Sequence, residues 1–369
     1  MTGSAPYHDQ STNISSAQAD RLRGLLLGTA VGDALGLPAE GLSRQRIQRL
    51  YRGQWRHRLI FGRGMLSDDS EHTVFVAQCL LRHPDAPARF AARLGWCLRG
   101  WLLTLPAGIG LATLRAIVKL WLGFPPDRSG VWSAGNGPAM RVALIGAFFA
   151  HDPHRRTAYV AASTRLTHSD PKALTGARAI AELAAWITRE RLSGRPALEP
   201  FLTLLRGCGV DDRDWQARID TLAGAARDNA TVAELAARLG LGMGVSGYIY
   251  DTVPVAAYAW LRHSGDFQAT LSAVLDCGGD TDTVGAITGA LAGATVGEAG
   301  IPAAWQTGIV DWPRSLHLLR ALGERLTQVM DSGQPAAPLP YCWPALPLRN
   351  LLFLLIVLAH GLRRLLPPY

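Results

Sequence analysis

The sequence predicts an all-α protein, and three observations carry that prediction. Apolar residues recur at three- and four-residue spacing from about residue 20 to about residue 330, in stretches such as DRLRGLLLGTAVGDALG, HTVFVAQCLLRH, ALTGARAIAELAAWITRERL and VAELAARLGLG. No stretch alternates apolar and polar residues as a half-buried strand does, and no hairpin turn separates two such runs. Glycine and alanine crowd the same helical stretches, as in GDALGLPAEG and GAITGALAGATVG. Small residues let helices approach closely, which marks these as buried central helices.

In chain order, residues 1–19 are polar and lack the basic-then-apolar layout of a signal peptide, so they read as a disordered lead-in. Residues 20–330 form the helical unit, large enough to bury a sizeable core. From Asp331 the chain changes to DSGQPAAPLPYCWPALP, and residues 331–349 read as a proline-rich linker, which cannot be regular helix. Residues 350–369 form an apolar and basic C-terminal helix. Its unbroken apolar run, Leu351 to Ala359, is shorter than the roughly 20 residues of a membrane span. The expected place of that helix is against the body, ahead of an oligomer contact or an interfacial membrane helix with Arg363 and Arg364 at the headgroups. The tail is expected to leave the chemistry untouched.

The formal charge of +8 comes almost wholly from arginine, the lysines being Lys119 and Lys172. No dense basic run with interleaved aromatics accompanies it, so no nucleic-acid partner is expected. The five cysteines are scattered, with no CxxC pair. That pattern argues against a disulfide framework and a zinc site, and it suits a reducing cytosol, hence a cytoplasmic protein.

The chemistry concentrates in three acidic stretches. LSDDSEHTVFVAQ places Ser67, Asp68 and Asp69 just before a strongly apolar helix. Alone it would read as a helix cap, with Glu71 completing a capping box. GGDTDTVGA repeats the design with Asp280, Asp282 and Thr283, and Glu40 ends GDALGLPAE. Carboxylates held in a helical core cost several kcal/mol each unless a cation offsets them. No lysine or arginine lies within these stretches. Oxygen ligands without His or Cys favour Mg²⁺, Mn²⁺ or Ca²⁺ over zinc, and two converging clusters would make a two-metal site. DTDTV also fits the nucleophile pattern of haloacid-dehalogenase phosphatases. That pattern needs a hydrophobic strand directly before the first Asp, where Cys277-Gly278-Gly279 stands instead.

Five motifs in order, GTAVGDALGLPAEG, SDDSEHT, GNGPAMR, THSDP and GGDTDTVGAITGALAGA, resemble those of the ADP-ribosylglycohydrolases. The likeness runs from about Arg21 to Trp312 and stops beyond Pro335. It implies an all-α, compact multi-helix domain around a central di-metal site of two Mg²⁺ ions, for which Mn²⁺ could substitute. It implies metal ligands in Ser67, Asp68 and Asp69 from one helix start and Asp280, Asp282 and Thr283 from the other, with Glu40 as a mobile acid. Ser133 to Gly137, with Gly135 and Asn136 between them, resemble a diphosphate-binding loop. His168 of THSDP resembles a substrate contact, and GMGVSGYIYDTVP resembles the stretch near the adenosine half. Two departures stand out: the first cluster has serines where threonines are common, and Asp170 stands where a second histidine is common.

The function implied is Mg²⁺-dependent cleavage of the C1″ glycosidic bond of an ADP-ribosylated protein or related ADP-ribose conjugate, with Asp69 or Glu40 as general base. The alternatives are a non-catalytic ADP-ribose-binding module and a metal hydrolase of a small nucleotide conjugate. Turnover of an ADP-ribosyl substrate separates the first of these, and a panel including free nucleotide sugars separates the second.

Overall fold

A computed structural model describes residues 9–364, with side chains from residue 16 onward. Seventeen α-helices and no strand occur among the described residues. Two helices make the axis of the molecule, the first (Asp9–Gly36) and the one that follows the GGDTDT motif (Thr281–Val296). Gly24, Gly28, Gly32 and Gly36 form one stripe at four-residue spacing, which puts them on a single face. Gly285, Gly289 and Gly293 form the facing stripe. A Cβ on Gly28 would sit 2.1 Å from the carbonyl oxygen of Gly289, and one on Gly32 would sit 2.0 Å from that of Gly285. The two backbones therefore touch, which no pair of larger residues would allow. Gly289→Ala is expected to push the helices apart and cost at least about 1–3 kcal/mol, since a packed core resists added volume. Denaturant unfolding of variant and parent checks this, and equal midpoints would refute it.

Around this pair the Ile249–His263 and Phe267–Leu275 helices pack on the second axial helix, and Leu316–Ser332 packs on the first. The core is one continuous cluster, with Trp101, Trp215 and Trp260 wholly buried. Backbone contact between the axial helices brings the end of one, at Gly36, to the start of the other, at Thr281. The Thr281 hydroxyl donates to the Gly36 carbonyl at 2.8 Å. Sequence segments about 245 residues apart thus meet at one end of the axis.

The ends of the chain depart from the sequence reading. The first helix starts at Asp9 and so takes in residues 9–19, expected as disordered; residues 1–8 lie outside the described residues. No glycine or proline interrupts residues 9–23, and Gln18 reaches Met330 on the neighbouring helix. The proline-rich segment is irregular to Cys342 but strapped down, with Gln78 exchanging two hydrogen bonds with the Leu339 backbone at 2.8 Å each. A 3₁₀ turn (Trp343–Ala345) and the C-terminal helix (Leu346–Arg363) follow, starting inside the expected linker. Residues 365–369 lie outside the described residues.

Candidate active site

A cleft of about 640 Å³ opens where the axial helices meet. It is large enough for a nucleotide-sized ligand. Of the twelve residues singled out in the sequence, ten line it: Glu40, Asp68, Ser133, Gly135, Asn136, Gly137, His168, Asp280, Asp282 and Thr283. Ser67 and Asp69 are buried directly behind the wall. The two acidic clusters meet there, with the Thr283 hydroxyl donating to Asp69 Oδ2 at 3.3 Å.

The paired glycines before Asp280 explain how the clusters meet. Gly278 and Gly279 both take positive φ, 75° and 86°. A Cβ on Gly279 would lie 2.0 Å from the Val245 carbonyl oxygen. Only glycine fits such a backbone contact. It allows Gly279 N to donate to Leu42 O at 2.9 Å and Asp280 N to Val245 O at 2.8 Å. The loop bearing Glu40, the 245–247 segment and Asp280 are so stitched together at the cleft rim.

The helix-cap explanation of the acids fits only in part. Ser67 is the N-cap of the Asp68–Arg82 helix, its hydroxyl accepting from Asp69 N. Asp280 occupies an N-cap position but makes no capping bond; its Oδ2 accepts instead from Asn136 Nδ2 at 2.7 Å. Glu71 is not the partner in a capping box. It lies in the core, paired with Arg314 and accepting from Trp101 Nε1 at 2.5 Å.

Among the described residues, none of the ion pairs includes Glu40, Asp68, Asp69, Asp280 or Asp282. The electrostatic result is plain. Burial, then the neighbouring charges of Asp68 and Asp33, pushes the Asp69 carboxyl well above the usual range. Burial, then Glu40, does the same to Asp282, and burial, then Asp33, to Asp68. Glu40, exposed at the mouth, is raised by desolvation in the cleft and by Asp280. Such a group of acids invites a cation.

The residues present fit a hard cation in chemistry, since every donor is a carboxylate or hydroxyl oxygen. Asp69 Oδ1 is also buried without any hydrogen-bond partner. As placed, however, no three Asp, Glu, His or Cys side chains among the described residues form a group set to hold an ion. The two-metal expectation thus meets donors gathered around a cleft rather than already closed on a point.

Opposite the acids runs the SAGNG loop. Asn136 N donates to Gly247 O at 2.9 Å, and Asn136 Nδ2 donates to both Thr252 Oγ1 and Asp280 Oδ2, so this one side chain ties loop to acid. Beneath it lies the His168 ring, 3.1 and 3.2 Å from where a Cβ on Gly135 or Gly137 would stand, closer than ordinary van der Waals contact. Arg141, wholly buried, donates to Thr167 Oγ1 at 2.6 Å, and that hydroxyl lies 2.9 Å from His168 Nδ1. With the hydroxyl donating to Nδ1, the imidazole proton sits on Nε2, which faces the loop. Burial and then Arg141 push the His168 imidazole down to about 3, so it is neutral at physiological pH. Asp170, two residues on, caps the Pro171–Glu190 helix instead, accepting from Lys172 N at 2.8 Å.

Sequence reasoning missed Asp33. Wholly buried on the first helix, its carboxylate accepts from Ser67 N, from Ser70 N and from the Ser70 hydroxyl. It thereby caps the start of a different helix and sets the direction of the Ser67–Asp69 turn. Burial still raises its carboxyl to about 6. The available signal was one charged residue inside a small-residue helix, in GTAVGDALG.

The family model described as ADP-ribosylglycohydrolase matches residues 14–336. The chain belongs to the ADP-ribosylglycohydrolase family. It is 27% identical over 360 residues to the ADP-ribosylhydrolase ARH3 of Xenopus tropicalis, covering 83% of this chain and 97% of that one. It is 28% identical over 299 residues to the ADP-ribosyl-[dinitrogen reductase] glycohydrolase of Rhodospirillum rubrum, covering 78% and 89%. A solved structure of an ADP-ribosylglycohydrolase-related protein complex superposes with a TM-score of 0.60 at 27% identity, covering 85% of this chain and 99% of that one. This glycohydrolase is therefore an all-α enzyme that hydrolyses a glycosidic bond of an ADP-ribose conjugate.

Proposed function

We propose that the enzyme removes ADP-ribose from a modified protein or related conjugate by cleaving its C1″ glycosidic bond, and that it needs Mg²⁺ to do so. The observation that carries this reading is the convergence of two acid clusters, in no ion pair among the described residues, on a cleft bordered by the SAGNG loop. Asp68, Asp69, Asp280 and Asp282, with Ser67 and Thr283, would hold two cations. When bound, these would orient and polarise the ribose hydroxyls beside the scissile bond. Mn²⁺ shares the ligand preference and would substitute.

The chain's own groups divide the remaining work. Glu40 opens onto the cleft, whereas Asp69 is buried and bonded to Ser67 and Thr283. That contrast favours Glu40 for moving the proton of the attacking water, and its raised pKa suits the task. Backbone N–H groups of the SAGNG loop would face the diphosphate, and the neutral His168 adds no charge beneath it.

Chelator-treated enzyme should lose activity on an ADP-ribosylated substrate and regain it with Mg²⁺ or Mn²⁺. Full activity in metal-free protein would overturn the reading. Activity confined to a small nucleotide conjugate would move the substrate class, and binding without turnover would make the chain a binding module.

The acid cluster also predicts how Mg²⁺ stabilisation varies with pH. A carboxyl raised in the folded state favours its protonated form there. Asp33's share of stability is accordingly full below the ordinary carboxyl range and lost as pH rises through about 6. Cations and protons compete for the raised ligand acids. The rise in melting temperature on adding Mg²⁺ should thus be small near pH 5 and grow toward about pH 8. Melting curves across that range test it; a rise that does not vary with pH counts against cation binding at these acids.

A further inference from the structure

The C-terminal helix is inside out. Its polar residues face the body: Arg349 pairs with Asp311 and donates to Leu66 O, and Asn350 Nδ2 donates to Thr104 O at 2.8 Å. At the far end His360 lies 3.0 Å from the Pro38 carbonyl, and Arg364 donates to the carbonyls of Pro38 and Glu40. All but one of its leucines face outward, Leu346 being buried. Leu348, Leu351, Leu352, Leu355, Leu358 and Leu362 are each more than half exposed. At about 100° per residue they cover roughly a third of the helix circumference. The stretch Trp343–Arg363 is 21 residues and contains an 18-residue window of mean hydropathy 1.8, long and apolar enough by length and composition alone to cross a membrane. Its bonds to the body at both ends nevertheless hold it flat along the protein.

We propose that this outward face lies in the headgroup and acyl boundary of an anionic lipid bilayer, making the enzyme a peripheral membrane protein. The inference is independent of the chemistry at the cleft. Two observations favour a lipid surface over a protein partner. First, every exposed residue from Pro344 to Leu362 is apolar, with no hydrogen-bonding side chain, whereas protein interfaces carry about one hydrogen bond per 100–200 Å². Trp343 and Arg363 stand exposed at the two ends, where an amphipathic ring and a long cation reach the headgroups.

The second observation is charge. In the segments that border the helix, residues 37–42, 54–64, 303–320 and 341–364, the acids are Asp311, which is paired with Arg349, and Glu40, which lines the cleft beside Arg364. Arg56, Arg63 and Arg363 are exposed there. Such a rim complements anionic headgroups and would repel the same rim on a second copy. The apolar surface also continues beyond the helix, into a groove of about 880 Å³ lined by Val310, Trp312, Leu348 and Leu352. An exposed apolar area of this extent marks an interaction surface.

The test is co-sedimentation of the full chain with vesicles of phosphatidylcholine alone and of phosphatidylcholine mixed with phosphatidylglycerol. Binding to the anionic vesicles, weakened by salt, is expected. Leu351→Asp with Leu355→Asp should lower the bound fraction at least about tenfold while leaving the melting temperature in place, because both side chains are already in solvent. Should that pair of charges disturb folding, Leu351→Ser with Leu355→Ser gives the same reading with milder change. No binding to anionic vesicles overturns the proposal. A concentration-dependent dimer in light scattering that the same substitutions abolish would also overturn it, by assigning the face to a second copy.

Discussion

Asp282→Asn is expected to lower turnover by orders of magnitude while leaving the metal-free protein as stable as the parent or more so. The side chain is buried, and burial with the charges of Glu40, Asp280, Asp69 and Asp33 opposes its ionisation. Asparagine keeps the local bond, Asp282 Oδ1 accepting from Thr283 N at 3.0 Å, through its own carbonyl oxygen. Like-charge repulsion falls at the same time. What the substitution removes is one negative ligand. Mg²⁺ should therefore raise the melting temperature of the parent much more than that of the variant, since a ligand stabilises only the state that binds it. A purely structural Asp282 predicts the opposite pair of results: equal shifts with Mg²⁺, and specific activity retained. Melting curves with and without Mg²⁺, beside turnover, decide between the two.

The other large effect is expected at the tail, far from the cleft in sequence. Arg349 bonds Asp311, whose Oδ2 accepts from Leu66 N at 2.9 Å, and Leu66 directly precedes Ser67. Arg349 also lies 3.8 Å from Glu71, the partner of Arg314. Both members of the Arg349–Asp311 pair are buried, 7% and 2% exposed. Arg349→Met leaves Asp311 buried without its charge partner, which typically costs about 3–5 kcal/mol. Ending the chain near Asp331 removes Arg349, Asn350 and the Arg364 contacts to the Glu40 loop together. These contacts lead us to expect, against the sequence reading, that the tail supports the site. Both variants should unfold at lower denaturant concentration and show less activity per folded molecule. Arg349→Met combined with Asp311→Leu should recover much of the stability, because it removes both charges. Unchanged unfolding midpoints and turnover in the truncated chain would refute this account.

The residues themselves show how far the sequence reached. Helical periodicity is a local property, so the all-α class was readable from spacing alone. The acids of SDDS and GGDTDT were readable because their chemistry conflicts with their surroundings: carboxylates at the start of apolar helices, with no lysine or arginine within those stretches. Asp33 showed no such conflict in sequence, since the groups it caps belong to a helix about 34 residues further on. Glu71 matched a capping box by spacing, and only folding brought Arg314, 243 residues away, to claim it. The tail misled for a similar reason. Arg349 and Asn350 looked like the end of an apolar run, but the body supplies Asp311 and Thr104 as partners, so the helix continues through them. The sequence by itself determined helix type, the small-residue axis and the acids that have no counter-charge beside them in the chain. The tertiary structure alone decided which of those acids share one cleft and which charged residues hold them in place. Periodicity and composition report what each segment must bury, whereas the partner of a buried charge depends on contacts made only when distant segments pack together.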